Sequence, residues 1–212
     1  VGCPRIDLVA EILKTPELPA DFFDRYRGVG PMLDLTKPFL LVSQHAVTTE
    51  FGDARWQIEE TLWSLATLQM PAIMLWPNVD AGSESIAKGI RTFRERHAPD
   101  WLHLYINLPT DVYVRLMNST ACLIGNSSSA IREGAFVGVP AVNIGSRQQG
   151  RQRGPNVFDV PHDRHAIIEA VRAQVTHGKY PRAAIYGDGH AGERIADVLS
   201  RIEVNIQKQL RY

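Results

Sequence analysis

With 212 residues and 44% hydrophobic content, the chain has enough apolar material for one large domain with a sizeable core. Lys+Arg and Asp+Glu both number 23, which excludes a global field for nucleic acid or an anionic membrane; positive charge is local, at Arg147, Arg151 and Arg153. No apolar run approaches the roughly 18 residues of a membrane span, no signal-peptide pattern opens the chain, and two distant cysteines, Cys3 and Cys122, suit a reducing cytoplasm better than a disulfide scaffold.

Short apolar runs alternate with longer amphipathic ones, the pattern of βαβ units on a parallel sheet. In chain order the predicted strands are Phe39-Leu-Leu-Val-Ser43, Ala72-Ile-Met-Leu-Trp76, Leu102-His-Leu-Tyr105, Ala121-Cys-Leu-Ile-Gly125 and Ala141-Val-Asn-Ile144, with a weaker sixth at Asn156-Val-Phe-Asp-Val160. The predicted helices run from Ala54 to Gln69, Ser83 to Arg96, Thr110 to Asn118, Ser129 to Val137 and Asp163 to Val175. A last one, from Gly192 to about Gln209, carries Ile195, Val198, Leu199 and Ile202 at helical spacing and is expected to lie on the sheet. The fold expected is α/β, a Rossmann-like parallel sheet flanked by helices.

Ligands of such folds bind beyond the carboxyl ends of the strands. Five polar motifs begin there: His45, Pro77-Asn78, Asn107-Leu108-Pro109, Asn126-Ser127 and Gly145-Ser-Arg147. The strongest is Leu123-Ile-Gly-Asn-Ser-Ser-Ser-Ala-Ile-Arg-Glu133, an apolar strand that turns through Gly-Asn and three serines into a helix. A turn of that kind aims backbone N–H groups and the positive end of a helix dipole at whatever lies beyond it, which suits an anion. Glu133 follows one to two helical turns later, where a carboxylate can accept from both hydroxyls of a sugar diol or simply favour the helix start. Asn78 reads either as a ligand contact or as a cap for the helix at Gly82-Ser83. His45 can donate to a phosphate oxygen.

Gly145-Ser-Arg-Gln-Gln-Gly-Arg151 and the serine turn together resemble the nucleotide-binding core of the UDP-N-acetylglucosamine 2-epimerase family. Gly2-Cys-Pro-Arg-Ile-Asp7, Gln44-His-Ala-Val-Thr-Thr-Glu50, Pro77-Asn-Val-Asp-Ala-Gly-Ser83 and Tyr186-Gly-Asp-Gly189 extend the resemblance over nearly the whole chain. Within the family the similarity is to the hydrolysing branch of sialic-acid pathways: Ser127-Ser-Ser-Ala-Ile-Arg-Glu133 stands where the non-hydrolysing branch has Ser-Gly-Gly and a Glu-Glu pair.

The resemblance implies the second domain of a GT-B-like two-domain fold, residues 1–212, with an amino-terminal domain outside this sequence as partner. It implies UDP binding by Asn78, the Leu108 backbone, Ser127, Ser128, Glu133 and Arg147, with Arg151 and Arg153 as rivals to Arg147. His45 is the catalytic candidate, acting on the leaving group. No cofactor and no metal are implied; a UDP-sugar substrate and a homo-oligomer are. The general acid and base are expected on the other domain, since no pair of acidic residues here has a comparable context.

Overall fold

Runs as apolar as Phe39-Leu-Leu-Val leave neither face of a sheet fit for water, and the chain covers both. In a computed structural model describing residues 1–202, β1 (Leu40–Ser43), β2 (Ala72–Leu75), β3 (Leu102–Tyr105), β4 (Cys122–Gly125), β5 (Ala141–Ile144) and β6 (Val157–Val160) form one sheet. Its order is β3-β2-β1-β4-β5-β6, with every pair parallel. Alternate side chains serve opposite layers. Leu40, Val42, Met74 and Ile124 face α3 (Ala54–Leu68), α4 (Ser83–His97) and α7 (Arg164–His177); Leu41, Ile73 and Leu123 face α1 (Pro4–Ile12), α5 (Thr110–Ser119) and α6 (Ser128–Val137). Leu40, Leu41 and Ile73 are wholly buried, each contributing about 1.5–3 kcal/mol by leaving water.

Two helices escape the strand–helix alternation. In α1, Pro4 sits in the first turn, where its missing N–H costs nothing, and Ile6, Val9 and Ile12 enter the core. One turn at α2 (Phe22–Arg25) seats Phe22 edge-on to Tyr105, with ring centroids 5.7 Å apart. The last helix corrects an expectation. α8 (Ala191–Arg201) lies on α1 rather than on the sheet, with Asp7 of α1 accepting from the Ala191 and Gly192 N–H groups at 3.0 and 2.6 Å. Ala191 alone in it is buried, while Val198 and Leu199 stay exposed. The remainder of that predicted helix, 203–209, lies outside the described residues. No described helix is long and apolar enough to cross a membrane.

The chain winds from β1 outward to β3, then returns to β4 and winds the other way, so the carboxyl ends of β1 and β4 flank the point where the order reverses. The two strands meet very closely there. Gly125 closes β4 at φ 128°, and a Cβ on it would fall 2.1 Å from the Ser43 carbonyl oxygen. Only glycine fits, which explains the residue before the serine turn.

Candidate functional site

Gly125 hands the chain to Asn126, which is fully buried and locks the two strand ends together. Its side-chain Oδ1 accepts from the His45 N–H at 2.7 Å, and its Nδ2 donates to the His45 carbonyl at 2.8 Å. The His45 ring is thereby held at the mouth of the crevice. Its Nδ1 accepts the Asn78 backbone N–H at 3.1 Å, so the ring proton belongs on Nε2, which lies 3.2 Å from Ser43 Oγ. Burial, reinforced by the nearby Arg147 charge, pulls the imidazole down to about 4. His45 is therefore neutral, with one N–H to offer.

Ser127 follows as the N-cap of α6: its backbone is extended and its Oγ accepts the Ser129 N–H at 3.4 Å. Neither the Ser127 nor the Ser128 N–H finds an acceptor among the described residues. The turn thus offers amide and hydroxyl donors at the positive end of a ten-residue helix.

Farther along α6, Glu133 is 2% exposed and gripped by two arginines. Arg5 Nε donates to Oε1 at 3.0 Å, while Arg132 donates to Oε1 at 2.9 Å and Oε2 at 3.1 Å. Ser127, Ser128, Glu133, His45, Asn78 and Leu108 all line one open cleft of about 300 Å³, joined by Arg5, Tyr113 and Arg132. Within it the Leu108 N–H is already bonded to Asn107 Oδ1 at 2.9 Å.

Asn78 does not cap α4, whose N-cap is Gly82 without a side-chain bond. It faces the cleft instead. Arg147 is the exception to the expected convergence: four of the five loops line the cleft, and the β5 loop stays behind it. Asp80 at 3.2 Å and the Asn126 carbonyl at 3.3 Å hold the Arg147 guanidinium there. Arg153 is ion-paired with Asp159 at 2.7 Å, clipping its own loop to β6. Arg151 is exposed. Of the three, Arg147 alone acts on a described cleft residue, through its field at His45.

Glu133 is the one carboxylate among the described residues that line the cleft. Glu50 accepts from Gln57 Nε2 at 2.6 Å and from Ser146 Oγ, and Asp80 holds Arg147. The arrangement can bind an anion next to a diol and stabilise a departing oxyanion; it holds no evident general base. Arg5 and Arg132 are two charged cleft residues that sequence reasoning left unassigned. Both stand inside recognisable motifs, but Arg5 meets Glu133 across 128 positions of chain, a contact without a local pattern.

The sequence model of the UDP-N-acetylglucosamine 2-epimerase family matches residues 2–200. Over 98% of its length the chain is 29% identical to a Legionella pneumophila protein named UDP-N,N'-diacetylbacillosamine 2-epimerase (hydrolyzing), of which it covers 52%. It is 26% identical over 79% of its length to a Neisseria meningitidis UDP-N-acetylglucosamine 2-epimerase, covering 45% of that protein. The chain thus spans about half the length of these relatives. Among solved structures, a Neisseria meningitidis UDP-GlcNAc 2-epimerase bound to UDP-GlcNAc superposes with a TM-score of 0.71 at 15% identity, over 95% of this chain and 54% of that one. A Methanocaldococcus jannaschii UDP-GlcNAc 2-epimerase with UDP-GlcNAc and UDP gives 0.68 at 17%, over 94% and 54%. At such identities the likeness establishes the fold alone, a Rossmann-like domain of the GT-B type.

Proposed function

Because the chain belongs to the UDP-N-acetylglucosamine 2-epimerase family, we propose that it is the UDP-binding carboxyl-terminal half of a hydrolysing epimerase that converts UDP-N-acetylglucosamine and water to N-acetylmannosamine and UDP. The observation that carries the reading is one cleft holding a serine-capped helix start, a neutral His45 and the buried Glu133. The name of the Legionella relative, aligned over 98% of the chain, supports the hydrolysing type.

In this reading the diphosphate takes the Ser127 and Ser128 amides and hydroxyls, the ribose diol meets Glu133, and uracil lies along the Leu108 backbone once Asn107 gives way. A base on the amino-terminal half removes the C2 proton. The C1–O bond breaks with its electron pair leaving on UDP, and a C1=C2 double bond forms. His45 Nε2–H and the Arg147 field stabilise the charge that gathers on the departing oxygen. Water then adds its hydroxyl to C1, and a proton returns to C2 on the opposite face. Without the base and the closing half, the isolated chain is inactive; the base alone is worth about 10²–10⁴-fold.

Proton NMR of the whole protein in deuterated water tests this. The expected outcome is free UDP with N-acetylmannosamine deuterated at C2. Product that keeps UDP moves the protein to the non-hydrolysing branch. The relative's name makes UDP-N,N'-diacetylbacillosamine the second substrate to supply, and turnover of that sugar alone would change the substrate while keeping the chemistry. Turnover by this chain alone would place a base within it, with Asp80 and Glu50 the first to substitute.

A further inference from the structure

Along the wall of the cleft, at the serine turn, three hydroxyls stand in line. Tyr113, on α5, places its OH 2.7 Å from Ser129 Oγ, and Ser129 Oγ lies 2.9 Å from Ser127 Oγ. Each hydroxyl owns one proton, so the line has a direction. Ser129 Oγ is the one partner of the Tyr113 hydroxyl among the described residues. Burial pushes that phenol up to about 12, so it remains an O–H donor at any working pH. Either oxygen of that pair could donate by geometry alone, and the phenol, the strongest acid of the three, is the better donor to Ser129. The Ser129 proton then points to Ser127 Oγ, whose other lone pair already takes the Ser129 N–H. The Ser127 proton is left free for the cleft that Ser127 lines.

We propose that Tyr113 and Ser129 are positioning residues that fix the donor direction of Ser127, so that the turn meets a diphosphate oxygen with an O–H rather than with a lone pair. The reverse direction would turn an oxygen lone pair toward an anion and repel it. Chained hydroxyls also polarise one another, so the terminal donor at Ser127 gains from the phenol two bonds away. The inference rests on the proposed nucleotide site and deepens it at the phosphate end.

Calorimetric titration of the chain with UDP, and separately with uridine, tests it. Tyr113→Phe and Ser129→Ala should each weaken UDP about threefold to tenfold while uridine affinity is unchanged. Ser129→Thr, which keeps a hydroxyl, should retain UDP affinity. In a Ser127→Ala background, Tyr113→Phe should cost nothing further, because the line no longer ends in a donor. Undiminished UDP affinity in Tyr113→Phe, additive losses in the double variant, or equal losses for UDP and uridine would each overturn the proposal. If the unsubstituted chain fails to bind UDP, the nucleotide reading falls and this inference with it; if it binds and the variants match it, this inference alone falls.

Discussion

The two ends of the cleft use opposite electrostatics. At the β1–β4 crevice the donors are neutral: an imidazole held near 4 by burial and Arg147, the open N–H groups of Ser127 and Ser128, and serine hydroxyls. One to two turns along α6, Glu133 is buried between two guanidinium groups. In the proposed complex the neutral end receives the charged diphosphate, and the ionic end receives the neutral ribose. Fixed dipoles around an anion need no counter-ion to be displaced first, and their N–H groups cost little reorganisation when charge develops on the leaving oxygen. The ionic cluster behaves differently. Its arginines occupy three of the roughly four lone-pair sites of the carboxylate, so a diol must compete for them.

Acid should break the neutral end first. His45 has a folded pKa of about 4 against 6.5 in the unfolded chain, so the folded state binds fewer protons between those values. Its contribution is therefore present above pH 6.5 and lost as pH falls toward 4, amounting to up to roughly 3 kcal/mol. Urea unfolding followed from pH 7 to 4 should show that loss in the native chain and a shallower slope in His45→Gln. Identical slopes would mean that the ring is not held neutral by the fold. The ionic end is probed by Glu133→Gln, which leaves Arg5 and Arg132 facing an amide. An expected destabilisation of about 1–3 kcal/mol, with weaker uridine binding, separates a carboxylate needed for charge balance from one that merely favours a helix start. Unchanged thermal stability would remove the contrast between the two ends.

Most of the sheet was legible because its strands are buried on both faces and read as unbroken apolar runs. All six were found to within a residue or so. β6 was the faint one for a physical reason: as an edge strand it leaves Phe158 and Asp159 exposed. α1 has a fainter local pattern, Pro4 ahead of Ile6, Val9 and Ile12 at three-residue spacing, outside the strand–helix alternation. For α8, amphipathic spacing tells that a helix has an apolar stripe, not what lies against it, and the capping of its first turn by Asp7 is a contact across 184 positions. The same limit applies in the cleft. The strand-end rule brought the loops of His45, Asn78, Leu108 and Ser127 to one cleft and helical spacing added Glu133, whereas the Asn126 clamp on His45 and the turn of Arg147 toward Asp80 depend on tertiary geometry alone.

One nucleoside diphosphate should span both ends of this cleft, which amide NMR of the labelled chain, titrated first with uridine and then with UDP, would show. Uridine should shift the amides around Asn107, Leu108 and Glu133, and UDP should add Ser127, Ser128 and Ser129 together with the loop holding His45 and Asn78. Shifts by UDP confined to residues outside the cleft, or a serine turn that responds no more to UDP than to uridine, would mean that no nucleotide spans the two ends.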